Sequence, residues 1–424
     1  MNHVLSILSA GAALLAAPAF SQLSSGAAPA MSAGLPYAIV STEQSACYDD
    51  RGMVVSPKKG EPFYGQDAQR VTHPASYHDN GDGTITDRVT GLMWQKGFKL
   101  VEWRNAHSDA AADRTAGYSD WRVPTIKELY SLVNFDGRTG SAPPEQIGAP
   151  KDARPYLDTR VFAFEYPSRG RFIDAQYLSA TTNVSRVMER LDGFYGVNFA
   201  DGRIKCYPKE GNRSRTTFYA RYVRGNPVYG RNDFHDNSDG TITDRATGLT
   251  WMKVDSGDPG LRARLGRYAR QDGRLDWREA LDFASRLDYA GKSDWRLPNA
   301  KELQSLVDYL RSVETSDSAS IDALFSASPI MNEGEARDFG YYWSSTTHLD
   351  GRVPGSDAVY VAFGRALGYM RPPSGTGTLR LMDVHGPGAQ RGDPKTGDPS
   401  KLPLGQGPQG DVRRIYNLVR CVRG

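Results

Sequence analysis

The chain has 424 residues, of which 39% are hydrophobic and 24% charged, and its formal net charge at neutral pH is only +3. Such a balance offers no bulk electrostatic attraction for nucleic acid or another polyanion, so no nucleic-acid partner is predicted. The length predicts two or three domains of roughly 100 to 200 residues each.

The first predicted element is a secretory signal peptide over residues 1–21. The apolar run VLSILSAGAALLAAPAF is too short to cross a bilayer comfortably, and small residues follow it where signal peptidase cleaves. No other stretch of the sequence is long and apolar enough to span a membrane. We therefore expect an exported mature protein without a membrane span, located in the periplasm, in the medium or at the cell surface. Residues 22–62 are predicted to form a linker or arm.

The rest of the chain is a tandem duplication. The phrase HDNGDGTITDRVTGLMWQK begins at His78 and returns from His235 as HDNSDGTITDRATGLTWMK, and three further blocks follow in the same order in both halves. Two domains are therefore predicted, over residues 63–225 and 226–424. Copies of this length are much longer than solenoid repeats, so each is expected to bury its own core.

The repeated phrase predicts a β-hairpin in each copy. A dense run of turn-forming residues, Asp79 to Gly83, precedes the alternating Thr-Ile-Thr of a strand. The same spacing also resembles a calcium loop, although the first and twelfth ligand positions fall on His78 and Val89. A structural turn is therefore the preferred interpretation and calcium the alternative. The candidate calcium ligands are Asn80, Asp82, Asn237 and Asp239.

The second block predicts a turn and a helix. It reads GYSDWRVPTIKELYSLVNF from Gly117 and GKSDWRLPNAKELQSLVDY from Gly291, and a proline stands where each helix would begin. Leucines and a valine at helical spacing predict the buried stripe, whereas Lys127 and Lys301 are predicted to face water with the glutamates that follow them. The Asp-Trp-Arg sequence is interpreted as a structural Asp–Arg ion pair rather than a catalytic one.

The remaining blocks are rich in β-branched and aromatic residues and predict strands. Each domain is therefore expected to be α+β, with two helices packed on a small, mostly antiparallel sheet and with long loops. The second copy also carries residues 372–411, whose high Gly, Pro and Asp content predicts a long loop over the domain. Loops on a rigid scaffold are where binding usually resides.

Three cysteines are an odd number for an oxidising compartment. One disulfide is predicted, which joins Cys421 to Cys47 or to Cys206. The sequence contains no Cys-x-x-Cys and no cluster of His and Cys at metal-ligand spacing, so a zinc or redox site is not expected.

Taken together, the phrases DNGDGTITDRVTGLMWQK, GYSDWRVPTIKELYSLV, YYWSSTT and LVRCVRG resemble the family named after the C-terminal domain of the Legionella collagen-like adhesin, formerly domain of unknown function 1566. The resemblance implies two C-type lectin-like domains and, for the best-studied member, adhesion to sulfated glycans. The Trp-Arg-Leu-Pro and Arg-Cys-Val-Arg sequences are also similar to the formylglycine-generating oxidase. The active cysteine pair of that enzyme has no counterpart in this sequence.

The predicted function is that of an exported, non-enzymatic binding or adhesion protein that recognises a glycan, a sulfated polysaccharide or a protein at the cell surface. The alternatives are a structural or interaction component of an envelope or secreted assembly and, less favoured, an enzyme similar to the formylglycine-generating oxidase. Aromatic rings and arginines on the late strands are the candidate ligand contacts, because they offer apolar faces to sugars and forked donors to sulfate. These candidates are Tyr342, Trp343, Arg365, Tyr369 and Arg371, with Tyr177, Asn198, Asp201, Arg203 and Tyr207 in the first copy. No cofactor is predicted apart from calcium in the turn loops.

Overall fold

The computed structural model describes residues 34–143, 145–210, 216–268, 270–350, 353–371 and 377–424. The predicted signal peptide and the first part of the arm lie outside these residues, as does the start of the predicted loop 372–411. Within the described ranges, no helix is both long and apolar enough to cross a bilayer.

The arm and the first repeat are mostly β-structure. In the structure the arm extends past its predicted end at residue 62 as far as β3, so we use the name for residues 34–76. It contains a short hairpin, β1 (Cys47–Tyr48) and β2 (Met53–Val54), and one 3-10 turn at Asp67–Gln69. The elements of the first repeat are β3 (Tyr77–Asp79), β4 (Thr84–Asp87), β5 (Leu92–Gln95), β6 (Lys99–Glu102), α1 (Trp103–Ala112), α2 (Ile126–Ser131), β7 (Gln176–Thr182), β8 (Gly193–Asn198), β9 (Arg203–Pro208), β10 (Thr217–Ala220) and β11 (Val223–Gly225).

Among the described residues, the second repeat follows the same order without strands at the places of β6 and β10, and it adds elements of its own. They are β12 (Phe234–Asp236), β13 (Thr241–Asp244), β14 (Thr250–Met252), α3 (Pro259–Arg262), α4 (Trp277–Arg286), α5 (Ala300–Ser305), α6 (Val313–Ser316), β15 (Pro329–Met331), β16 (Arg337–Phe339), β17 (Tyr341–His348), β18 (Asp357–Ala362), β19 (Leu367–Met370), β20 (Arg380–Asp383), β21 (Gln390–Pro394) and β22 (Val422–Arg423).

The predicted hairpin is present in both repeats. It belongs to a four-stranded antiparallel sheet, ordered β11-β5-β4-β3 in the first repeat and β12-β13-β14-β22 in the second. Equivalent buried pairs form the inner face of each sheet: Ile85 lies opposite Trp94, and Ile242 opposite Trp251. The closing Val-Arg-Gly strand completes each sheet, as the repeated sequence order requires.

One large sheet crosses both repeats, in the order β17-β18-β21-β9-β8-β7-β10-β6. β21 lies beside β18 over five residue pairs and meets β9 of the first repeat where Gln390 faces Ile204. The interpretation of residues 372–411 as a loop is therefore wrong for β20 and β21. A strand here covers the edges of β18 and β9, whose backbone groups would otherwise lack partners.

The centre of the large sheet has approximate twofold symmetry. β21 takes the place beside β18 that β9 takes beside β8, and the two central strands are antiparallel. β19, which follows β18 in sequence as β9 follows β8, pairs with β20 outside the large sheet. The insertion has thus supplied a substitute strand at the boundary between the repeats.

The Trp-Arg-x-Pro turn caps α2. The Thr125 side chain accepts a hydrogen bond from the Glu128 N–H, and the Glu128 carboxylate accepts one from the Thr125 N–H. The same carboxylate accepts two hydrogen bonds from the Arg122 guanidinium, at 2.5 and 2.7 Å. The predicted Asp–Arg pair is wrong, because Asp120 pairs instead with Arg224. The equivalent residues of the second repeat make the same contacts: Asn299, Glu302, Arg296, Asp294 and Arg423.

The helices α2 and α5 contact each other across the boundary. Lys127 Nζ donates to the Ser305 carbonyl, and Lys301 Nζ donates to the Ser131 carbonyl, both at 2.7 Å. Because the two serines occupy equivalent positions in the repeats, the two contacts are related by the approximate twofold axis. The predicted exposure of Lys127 and Lys301 is wrong, since each lysine lies on the helix face that the other repeat covers.

A single hydrophobic cluster spans both repeats and the arm. Trp94 of the first repeat, Trp251 and Tyr342 of the second and Tyr37 of the arm all belong to it. Each repeat also has a smaller cluster of its own. The expectation of two separate cores is therefore only partly met, because the faces that meet at the boundary are buried by the other repeat.

Candidate ligand-binding cleft

A cleft with a volume of about 850 Å³ lies between the two repeats. The turn between β7 and β8 lines it on the first repeat, and α6, the β15–β16 turn and the β19–β20 hairpin line it on the second. Its polar lining includes Asn183, Arg186, Lys209, Glu314, Arg365 and Asp383. Concave sites with a few convergent polar groups are where proteins usually hold small ligands.

The β7–β8 turn is held in shape by the second repeat. Val187 and Leu191 form an isolated bridge, and Met188 and Glu189 between them have φ angles of 49° and 71°. Such left-handed conformations are uncommon for residues that carry a side chain. The Met188 N–H donates to the Asp383 carbonyl at 2.7 Å, which joins this turn to β20.

The Asp383 side chain offers an unused hydrogen-bonding atom in the cleft. Its Oδ1 accepts from the N–H groups of Ala366 and Gly386, at 3.1 and 2.9 Å. Its buried Oδ2 has no partner in the part of the chain that the structure describes. Burial raises the pKa of Asp383 to about 8, and the carboxylates of Glu314 and Asp338 add to that rise. The raised pKa favours the protonated form of this carboxyl group, which can donate a hydrogen bond.

Asn183 provides a second unused donor. The residue is 8% exposed, and its Oδ1 accepts from the Ser185 backbone and hydroxyl at 3.3 and 3.2 Å. No described residue accepts a hydrogen bond from its buried Nδ2. A buried amide without a partner costs free energy, and a ligand oxygen would remove that cost.

Arg365 is the one sequence-predicted contact that lines the cleft. Its Nε donates to Glu314 Oε1 at 2.5 Å, and its Nη1 lies 3.6 Å from Asp338 Oδ2. Arg186 is exposed, and its Nε lies 3.7 Å from Asp192. Lys209 is half-buried, and its Nζ lies 5.1 Å from the centre of the Trp103 ring. Since Arg186 and Arg365 each lie beside a carboxylate, and Glu189 and Asp383 also line the cleft, it combines donors and acceptors without a strong net charge.

Most of the other predicted contacts are buried and cannot reach a ligand. Their aromatic rings and amides pack inside the sheets, where alternation places every second side chain in the core. The buried residues are Tyr177, Asn198, Asp201, Tyr207, Tyr342 and Trp343. Tyr369 is half-buried on β19, and Arg371 is exposed just after it, but neither lines the cleft.

Arg203 and Asp201 belong to a buried ion-pair network at the boundary. Arg203 pairs with Asp201 at 3.2 Å and with Asp350 of the second repeat, and Lys205 Nζ lies 2.7 Å from Asp201. Burial, with the adjacent Arg203 cation, lowers the pKa of His348 in this network to about 4. These groups therefore join the repeats. The prediction that Asp201 and Arg203 contact a ligand is wrong.

The candidate calcium residues hydrogen-bond within their own turns. Asn80 Nδ2 donates to the hydroxyls of Thr84 and Thr86, and Asp82 Oδ1 accepts from the Thr84 N–H and hydroxyl. Asn237 and Asp239 make the same contacts in the second repeat. The structural-turn interpretation accounts for all four side chains.

The structure contains no disulfide between the three cysteines, all of which are described, buried and free. Cys206 lies in the cluster that spans the repeats, Cys421 in the second repeat's own cluster, and Cys47 in the arm hairpin. The predicted pairing of Cys421 with Cys47 or Cys206 is therefore not formed. Burial raises the pKa of each thiol, which makes a reactive thiolate unfavourable.

The residues that sequence reasoning missed are Asn183, Arg186, Lys209 and Asp383. They lie outside the repeated blocks, so no motif pointed to them. The only available signal was that the segments around residues 183–191 and 380–383 differ between the two copies. Loops that vary on a common scaffold often carry binding residues.

The fold and the cleft define a two-repeat α+β protein, mostly β-sheet, with a ligand-sized cavity where its repeats meet. The chain belongs to the Lcl C-terminal domain family, whose sequence model matches residues 83–224 and again residues 240–383. The second match ends at Asp383, the last residue of β20, before β21 and the closing strand. Neither the comparison with curated proteins nor that with solved structures gives a match. The C-type lectin-like fold therefore stays a prediction.

Proposed function

We propose that this chain is an exported, non-enzymatic binding protein of the adhesin type that recognises a glycan in the inter-repeat cleft. The observation that carries the proposal is a cavity of about 850 Å³ lined by Asp383 and Asn183, each of which has a buried polar atom without a partner among the described residues. Each sugar hydroxyl both donates and accepts, so it fits a lining in which donors and acceptors alternate. Membership of the Lcl C-terminal domain family and the signal-like N-terminus support adhesion and export.

The described lining of the cleft includes the hydroxyls of Ser185 and Thr315 and the carboxyl groups of Glu314 and Asp383, which suit polar contacts to the hydroxyls of a sugar. The oxidase-like alternative would need reactive cysteines, but burial raises the pKa of Cys421. A role in an envelope assembly is the second candidate, and a separate groove, described below, favours it.

The charge of the glycan is open to a direct test. A sulfated polysaccharide would be held by the exposed Arg186 and the half-buried Lys209, so its binding would fall steeply as salt is added. A neutral glycan would depend on Asp383 and Asn183, and its binding would be insensitive to salt. It would also weaken above about pH 8, where Asp383 loses its proton.

A glycan array with neutral and sulfated members, followed by titration of each hit, tests the proposal. An Arg186→Ala, Lys209→Ala double variant should weaken a sulfated ligand by about tenfold or more, and Asn183→Leu should do the same to a neutral one. Arg371→Ala is the matched control, because Arg371 is exposed outside the cleft. Equal glycan affinity for all of these variants and the wild type would exclude the cleft as the binding site.

A further inference from the structure

In the second repeat, the arm fills the groove between the start of α5 and the end of β17. The Thr346 hydroxyl donates to Asp67 Oδ2 at 2.5 Å, and the Phe135 N–H donates to the Thr42 carbonyl at 2.8 Å. Beneath the arm, Thr346 and Thr347 are fully buried. Between the arm and the start of α5, a cavity of only about 20 Å³ is lined by Asp67, Asn299 and Glu302.

The equivalent groove of the first repeat, between the start of α2 and the end of β7, is open. Its volume is about 950 Å³, and we call it the open groove. The residues that define it include Thr125, Ala180, Thr181, Thr182, Tyr309 and Leu310. Thr181 and Thr182, the counterparts of Thr346 and Thr347, are partly exposed.

In the open groove, the Thr181 hydroxyl accepts a hydrogen bond but does not donate one to a described residue. It accepts a hydrogen bond from the Ile126 N–H at 3.0 Å, as Thr346 accepts one from Ala300 at 2.9 Å. Thr346 then donates its own proton to Asp67. Thr181 has no such acceptor among the residues that the structure describes.

A backbone donor in the same groove is also unused. Tyr309 occupies the position in the second repeat that Phe135 occupies in the first, and the Phe135 N–H bonds to the arm. The Tyr309 N–H has no acceptor in the described ranges of the chain. Next to it, Leu310 is 80% exposed, whereas its counterpart Asp136 accepts hydrogen bonds from Ser45 of the arm.

We propose that the open groove binds an extended peptide segment of a partner protein. A backbone carbonyl of the peptide accepts from the Tyr309 N–H, and an acidic side chain accepts from Thr181, as Thr42 and Asp67 do in the filled groove. Leu310 offers the peptide an apolar contact at the rim. The occupant is a peptide because a peptide, the arm, already satisfies the same two donors in the second repeat. Exposed backbone groups of a protein are often recognised in this way.

The test uses a displayed library of random decapeptides selected on the full mature chain. Counter-selection on Ala180→Arg, whose long side chain occupies the open groove, removes peptides that bind elsewhere. We expect enriched peptides that share an acidic position. Their affinity should fall at least about tenfold in Thr181→Val and recover in Thr181→Ser.

Thr346→Val is the matched control, because it removes the same hydroxyl from the groove that the arm occupies. It should lower the melting temperature and leave peptide affinity unchanged. The proposal is wrong if no peptide distinguishes the wild type from Ala180→Arg, or if the enriched peptides bind Thr181→Val as tightly as the wild type. It is also wrong if the chain forms a dimer that Ala180→Arg abolishes. The last outcome would make a second copy of the chain the occupant.

Discussion

Gln44, in the arm, forms two hydrogen bonds with the backbone of Thr347 at the end of β17. Its Nε2 donates to the Thr347 carbonyl, and its Oε1 accepts from the Thr347 N–H, both at 2.8 Å. The side-chain amide thus satisfies backbone groups that a neighbouring strand would otherwise pair. From Tyr37 onward the arm is consequently part of the folded unit.

Replacement of Gln44 by Ala should lower the free energy of unfolding by about 2 to 3 kcal/mol, because two buried backbone groups of Thr347 lose their partners. Chemical denaturation monitored by circular dichroism measures the change. Gln146→Ala serves as the control, since Gln146 is exposed and its loss should cost less than about 0.5 kcal/mol. Equal midpoints for the two variants would show that the arm does not contribute to stability.

Asp67 should make stability depend on pH. Burial raises the pKa of this carboxyl group to about 6. A raised pKa in the folded state stabilises the protein at low pH, and this contribution is lost as the pH rises through about 6. Relative to Asp67→Asn, the wild type should lose up to about 3 kcal/mol of unfolding free energy between pH 4 and pH 7. Parallel curves for the two proteins would contradict this assignment, and Asp288→Asn, at an exposed position, should reproduce the wild-type curve.

β21 requires a residue without a side chain at Gly392. A Cβ atom there would lie 2.7 Å from His348 Nδ1, closer than van der Waals contact allows. Gly392→Ala should therefore destabilise the protein by about 1 to 3 kcal/mol. Gly97→Ala is the control, because nothing lies within 4 Å of a Cβ atom at that position. If both variants melted at the wild-type temperature, β21 would not hold the repeats together as described.

The two repeats should unfold together. Because one hydrophobic cluster contains residues of both repeats and of the arm, neither repeat can lose its packing alone. Calorimetry of the mature chain should show one transition whose van't Hoff and calorimetric enthalpies agree. Two resolved transitions would mean that the repeats are independent domains, as their sequence alone suggests.

All three cysteines should react as thiols only after unfolding. Each is buried in the structure, and burial raises the pKa of each thiol. We expect slow labelling of the native protein by a thiol reagent and three labels per chain in denaturant without reductant. A single label under those denaturing conditions would reveal a disulfide and restore the prediction made from the sequence.

Local patterns in the sequence correctly predicted the elements that depend on neighbouring residues. The hairpin at Asp79 to Gly83, the capped helix after Pro124 and the amphipathic helix from Trp277 follow from turn chemistry and periodicity, which act within one element. The duplication also predicted two copies of the same strand order. The wrong predictions concern the exposure of Lys127 and Lys301 and the predicted loop that contains β21. The environment of each is set by contacts with the other repeat.

The Tyr-x-Ser-x-Thr-Thr sequence shows most clearly what the tertiary structure decided. Thr181 and Thr346 occupy the same position of this sequence in the two copies. Each accepts a hydrogen bond from the N–H of the first residue of a helix in its own repeat, α2 or α5. Yet one lies in an open groove and the other beneath the arm. The chain has one arm for two equivalent grooves, so packing alone determined which copy of the sequence became buried and which stayed accessible.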